Sequence, residues 1–99
     1  MDLANEVKAV AAMVLQKLYD LSVGNRMMAH RLDLLFVELN DEAPHYIQRS
    51  LFDSGLGYAV DRNWIKYGET DNEVRLTVDG RIEVLTRRVL IGMSRELTW

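Results

Sequence analysis

Arginine dominates the functional side chains in the second half of this chain. Residues 44–99 carry eight basic side chains, seven of them arginine, against eight acidic ones. A guanidinium presents a planar fork of hydrogen-bond donors that suits phosphates, base edges and carboxylates. This half of the chain is therefore equipped for recognition by charge and hydrogen bonding.

The sequence has no residue pattern that is typical of a catalytic site or a metal site. Cysteine is absent, which excludes disulfides, thiol catalysis and thiolate metal sites. His30 and His45 are the only histidines, and their spacing is not that of a metal site. Ser50 and Ser54 have no nucleophile-elbow signature, and Gly55–Gly57 follows a predicted helix, unlike the glycines of a dinucleotide-binding loop. We expect no enzymatic activity, no cofactor and no metal.

Length and composition predict one folded domain over residues 1–99. The chain is 48% hydrophobic and 27% charged, as in ordinary globular proteins. The segment Met1–Glu6 has no basic residues, and the apolar stretch Val10–Leu15 is too short for a signal peptide or a membrane span. We therefore expect a cytoplasmic protein with no membrane partner.

Apolar periodicity predicts three helices in the first half of the chain. Apolar residues recur every three or four positions from Asn5 to Leu21, and again from about Arg26 to Leu39. A short third helix is predicted from about Pro44 to Asp53, because proline suits a first helical turn and Ser54 and Gly55 would end the helix.

The second half of the chain changes to a strand pattern after Gly57. Strand formers up to Tyr67, a polar turn over Gly68–Asn72 and an alternating segment from Val74 predict a β-hairpin. The segment Gly80–Leu90 fits either a helix or a third strand, which would make a three-stranded antiparallel meander. The long apolar stripe favours the helix, with Thr77 or Asp79 as its cap. Both alternatives belong to the α+β class.

The hairpin region carries a recognisable motif. Four residues match the pattern Leu-Thr-x-x-Gly-Arg that opens the last helix of many winged-helix regulators: Leu76, Thr77, Gly80 and Arg81. Gly55 and Leu56 are similar to the Gly-Leu turn that ends their recognition helix. The stretch Pro44–Leu85 therefore resembles a winged helix-turn-helix domain, with three helices, a two-stranded wing and a C-terminal helix. The resemblance implies DNA binding by a dimer.

Six polar side chains are the DNA contacts expected from this resemblance. Three lie on one side of the predicted short helix and could reach base edges, namely His45, Gln48 and Arg49. Three others lie on the wing strands and could neutralise phosphates, namely Arg62, Lys66 and Arg75. We expect a regulator of transcription that binds duplex DNA.

The terminal helices carry apolar stripes that could pair with a second copy. The first stripe has heptad spacing and contains Val7, Val10 and Val14. The last helix contributes Leu85, Val89 and Met93. We expect these six residues to form the interface of a homodimer.

Acidic residues at the tip of the wing support an alternative function. Glu69, Asp71 and Glu73 would repel a phosphate backbone. The alternative is a winged-helix-derived module that binds a protein partner at this acidic tip and does not bind DNA.

Overall fold

A computed structural model describes residues 3–22, 29–43 and 45–97, with side chains for residues 4–22, 29–43 and 45–87. The described residues form four helices and three short strands: α1 (Leu3–Leu21), β1 (His30–Arg31), α2 (Leu32–Glu42), α3 (Arg49–Asp61), β2 (Ile65–Tyr67), β3 (Glu73–Leu76) and α4 (Val78–Leu97). This is an α+β fold, as predicted.

The strands form an antiparallel sheet in the order β1-β3-β2. In the hairpin, Ile65 is paired with Leu76 and Lys66 with Arg75. Because side chains alternate across a strand, Ile65, Val74 and Leu76 point into the core while Lys66 and Arg75 lie on the outer face. The predicted Gly68–Asn72 turn and the hairpin around it are thereby confirmed, but the predicted first strand is too long at its start. Tyr58 and Val60 belong to α3, and β2 begins only at Ile65.

The third strand comes from a part of the chain that the sequence did not indicate. β1 pairs with β3 through His30 and Val74, and residues 80–90 belong to α4. The three-stranded meander is therefore wrong. The second predicted helix is also too long at its start, because α2 begins only at Leu32, and Arg26–Met28 lie outside the described residues. Pairing with β3 holds His30 and Arg31 in the extended conformation.

The core forms where α1 packs against α3. A Cβ atom placed on Gly55 would lie 2.7 Å from the Cγ1 atom of Val10, so any larger residue would force Val10 or the two helices to shift. Val10 and Val14 are fully buried in this contact, and Val7 is partly buried. The predicted dimer role of Val10 and Val14 is therefore wrong, because their side chains are already used within one chain.

The third helix differs most from the prediction. The predicted helix Pro44–Asp53 is wrong at both ends, since α3 begins at Arg49 and continues to Asp61. Gly55 does not end the helix because close packing on α1 requires glycine there, and this contact outweighs the low helix propensity of glycine. The reversal occurs at Asn63, whose φ of 64° is the left-handed conformation that commonly follows a helix end. Gly55 and Leu56 therefore do not form the Gly-Leu turn.

The last helix confirms the favoured of the two alternatives for residues 80–90, because this segment is helical. The Thr77 side-chain oxygen accepts a hydrogen bond from the Gly80 amide at 3.0 Å, so Thr77 caps α4. A Cβ atom at Gly80 would collide with the Trp64 carbonyl oxygen, which explains why glycine occupies this position in the capped turn.

Two glycines in α3 provide a matched test of the close packing between α1 and α3. We expect Gly55→Ala to lower the free energy of unfolding by about 1–3 kcal/mol, because the added methyl group overpacks the contact with Val10. Gly57 meets no atom within 4 Å, so Gly57→Ala should raise it by about 0.5–1 kcal/mol. Urea unfolding followed by circular dichroism measures both. Equal effects of the two substitutions would contradict the close α1–α3 contact.

Candidate nucleic-acid interface

The corner between α2 and α3 is held by one polar side chain. The Ile47 amide donates to Asn40 Oδ1 at 2.6 Å, and Asn40 Nδ2 donates to the carbonyl oxygens of Phe36 and Ile47 at 3.2 and 3.4 Å. Ile47 itself is buried in the core. These bonds fix the position from which α3 starts.

Arg49 is held against aromatic rings at this corner. Its guanidinium carbon lies 5.3 Å from the Phe36 ring centre and 5.6 Å from that of Phe52, within the range of cation–π contacts. Its Nε atom also donates to Asp53 Oδ1 at 3.1 Å. Arg49 therefore bridges α2 and α3 through these contacts, while its side chain stays 55% exposed.

His45 and Gln48 do not lie on a helix with Arg49. His45 is exposed in the segment before α3, and Gln48 is the N-cap residue of α3 without a capping hydrogen bond from its side chain. Both side chains remain exposed at the start of α3. Both residues therefore lie near the candidate surface, but they precede α3 and do not share a helical face with Arg49.

The outward face of α3 is made of small residues. Ser50, Ser54 and Gly57 are spaced by four and three positions, which places them on one side of the helix. Ser50 and Ser54 are exposed, and the space beyond Gly57 is open. The sequence prediction missed this face because it ended the helix at Asp53, although the spacing of these three residues would have indicated it.

An open depression of about 470 Å³ borders this face. It is lined by residues from α1, from the α2–α3 corner and from α3, namely Glu6, Tyr46, Gln48, Ser50, Leu51 and Ser54. Hydroxyl, amide and carboxylate groups therefore surround the first half of α3, and they can both donate and accept hydrogen bonds.

Lys66 and Arg75 come together on the outer face of the hairpin. They are direct partners in the register of β2 and β3, and neither forms an ion pair with any described residue. Like charges directly opposite one another destabilise a hairpin. The pair therefore adds a positive surface at a cost in stability.

Arg62 lies apart from the first half of α3. It caps the C-terminal end of the helix, where its guanidinium carbon is 4.5 Å from the Tyr58 ring centre and 5.7 Å from that of Trp64. The 13 residues of α3 span about 20 Å, which separates Arg62 from Gln48 and Ser50. The structure does not bring Arg62 together with these two residues.

The tip of the hairpin is acidic. Glu69 and Asp71 are exposed there, while Glu73 accepts a hydrogen bond from the Thr70 hydroxyl at 3.1 Å. The positive pair on the strands and the acidic tip therefore occupy different parts of the same hairpin.

An apolar stripe runs along the outside of α4. Val78, Ile82 and Leu85 are 73%, 56% and 47% exposed, on the side of the helix opposite the buried Gly80 and Val84. Two further residues predicted for the dimer interface, Val89 and Met93, have side chains outside the described part of the structure. Of the six predicted interface residues, Leu85 is the one whose side chain is described and exposed.

Comparison of the chain with protein-family models, curated proteins and solved structures gives no match. Among the described residues, no helix has the length and apolar character that a membrane crossing requires. The same residues contain no group of three histidine or carboxylate side chains placed to hold a metal ion.

His30 gives the structure a pH-sensitive position. Its Nε2 atom is buried without a hydrogen-bond partner in the described residues. Burial lowers the pKa of His30, and the nearby Glu38 carboxylate opposes this effect to a smaller extent. The folded protein therefore disfavours the protonated imidazole.

Acidification should accordingly destabilise the fold through His30. The unfolded chain takes up a proton at this residue at a higher pH than the folded chain does, so the stabilising contribution is complete above about pH 6.5 and is lost as the pH falls through the lowered pKa. We expect His30→Phe to reduce the loss of unfolding free energy between pH 7 and pH 5. His45→Phe is the matched control, because His45 is exposed. Identical pH profiles of wild type and His30→Phe would contradict this assignment.

Proposed function

We propose that this chain is a winged-helix protein that binds duplex DNA as a homodimer and regulates transcription. The order of elements and the β1-β3-β2 sheet are compatible with a winged-helix layout, in which α2 and α3 form the helix-turn-helix and β2 and β3 form the wing. This layout is compatible with a binding function.

The strongest support comes from the Lys66–Arg75 pair. Two adjacent positive charges with no acidic partner among the described residues weaken the hairpin, so their value lies in binding an external anion. Phosphates of a DNA backbone provide that anion, and such contacts set the position of a protein on the duplex.

The outward face of α3 is the part that reads the bases in this proposal. The major groove admits an α-helix, and small side chains at Ser50, Ser54 and Gly57 permit close approach of the helix backbone. Hydroxyls of the two serines and the amide of Gln48 then supply donors and acceptors to base edges. Gln48 keeps its predicted role in this proposal, and the half-exposed Arg49 lies beside it. Arg62, at the opposite end of α3, stays a predicted phosphate contact.

The homodimer in this proposal forms through α4 alone. The stripe of Val78, Ile82 and Leu85 faces away from the core, and burying it against a second copy removes apolar surface from water. α1 does not contribute its valine stripe, since Val10 and Val14 are buried within each chain.

Salt dependence of DNA affinity tests the phosphate contacts. We expect mixed-sequence duplex DNA to bind at low salt in a fluorescence-anisotropy titration, with affinity falling steeply as salt is added. Lys66→Ala and Arg75→Ala should each reduce the slope of log affinity against log salt by about 1. Lys8→Ala removes the same charge from an exposed position on α1 and should leave the slope unchanged. Equal slopes for all four proteins would exclude the hairpin as the phosphate-binding surface.

Sedimentation velocity tests the dimer. We expect Ile82→Lys to convert the protein to a monomer, because a charge would be buried in the α4 interface. Val37→Lys is the matched control, since Val37 on α2 is 54% exposed and Ile82 is 56% exposed. A wild-type monomer, or a dimer that survives Ile82→Lys, would refute the α4 interface.

A protein-interaction module without DNA binding is the second candidate function. The exposed Glu69 and Asp71 at the hairpin tip favour it, because they repel phosphates and attract basic partners. Absence of DNA binding at low salt would favour this candidate over the first.

A further inference from the structure

A groove of about 430 Å³ separates α3 from the hairpin. Six residues from α2, α3 and the hairpin line it, namely Leu32, Arg49, Asp53, Leu56, Tyr67 and Asp71. It is distinct from the depression beside Ser50 and Ser54 on the outward face of α3, because no residue lines both.

The groove has an apolar base and an aromatic side. Leu32 and Leu56 are almost completely buried and supply apolar surface beneath it. Tyr67 at the end of β2 is 46% exposed, so part of its ring is accessible. Such a surface suits an alkyl stem, and the tyrosine ring suits a cation lying over its face.

The charged residues of the groove are one arginine and two aspartates. Asp53 Oδ1 is engaged by Arg49, whose guanidinium also packs against Phe36 and Phe52. Asp71 is exposed and makes no ion pair with any residue that the structure describes. The lining therefore has one net negative charge, held at Asp71, which would repel an anion and favours a monovalent cation.

We propose that this groove binds a guanidinium or ammonium group carried on a short apolar stem. The cationic group lies between the Asp71 carboxylate and the Tyr67 ring, and the stem lies over the small exposed part of Leu32 and Leu56. The ligand is either a small free organic cation or an arginine or lysine side chain of a peptide. This site goes beyond DNA binding, because neither Lys66, Arg75 nor the small residues on α3 take part in it.

Ethylguanidinium is the probe for the charged group, and ethylurea is its neutral counterpart of similar shape. Titration into the ¹⁵N-labelled full chain, followed by amide chemical shifts, should give saturable changes centred on Tyr67 and Asp71. We expect ethylurea to bind at least about tenfold more weakly, since it lacks the charge that Asp71 and Tyr67 recognise. A blocked Gly-Arg-Gly peptide in the same assay distinguishes the two ligand sources: tighter binding than ethylguanidinium indicates a peptide, and weaker binding indicates a free cation.

Two hairpin substitutions separate a specific site from general attraction. Asp71→Asn and Glu69→Gln remove the same charge from exposed positions in one turn, but only Asp71 lines the groove. We expect Asp71→Asn to weaken ethylguanidinium binding about fivefold or more and Glu69→Gln to change it less than about twofold. Tyr67→Leu should also weaken binding. Equal effects of the two charge removals, or equal binding of ethylguanidinium and ethylurea, would overturn the site whether or not the protein binds DNA.

Discussion

The close contact between Val10 and Gly55 sets how α3 packs against α1, and the candidate interface depends on this packing. Because α1 and α3 approach so closely there, the position in α3 must be glycine, and the helix continues through a residue that would ordinarily favour a helix end. The buried side of α3 is thereby fixed against α1. Its other side, with Ser50, Ser54 and Gly57, is left facing outward, and the candidate interface depends on that orientation.

Local patterns in the sequence were sufficient for some elements. The periodicity of α1, the polar turn of the hairpin and the capping threonine of α4 depend on neighbouring residues, and the structure confirms all three. The extent of α3 and the presence of β1 depend instead on distant partners. Gly55 is explained only by Val10, and the two-residue strand at His30 is explained only by Val74.

In the candidate site, too, some features follow from local sequence patterns and others depend on distant contacts. The sequence placed Lys66 and Arg75 on the two strands of a hairpin, and the register brings them face to face. Arg49 has the residue type of a base-reading side chain, but its contact with Phe36 in another helix is one that no local pattern reveals. The small residues on α3 were missed because their significance required the correct helix length.

The hairpin combines opposite charges in separate places, with a basic pair on its outer face and acids at its tip. Our two proposals use these places separately, with a phosphate at the basic pair and an organic cation near the tip. The most direct measurement of the central claim is a map of amide chemical shifts in the presence of mixed-sequence duplex DNA at low salt. Our account predicts that the changes centre on Gln48–Gly57 and on Lys66 and Arg75. Changes confined to α4 or to the hairpin tip, or none at all, would contradict it.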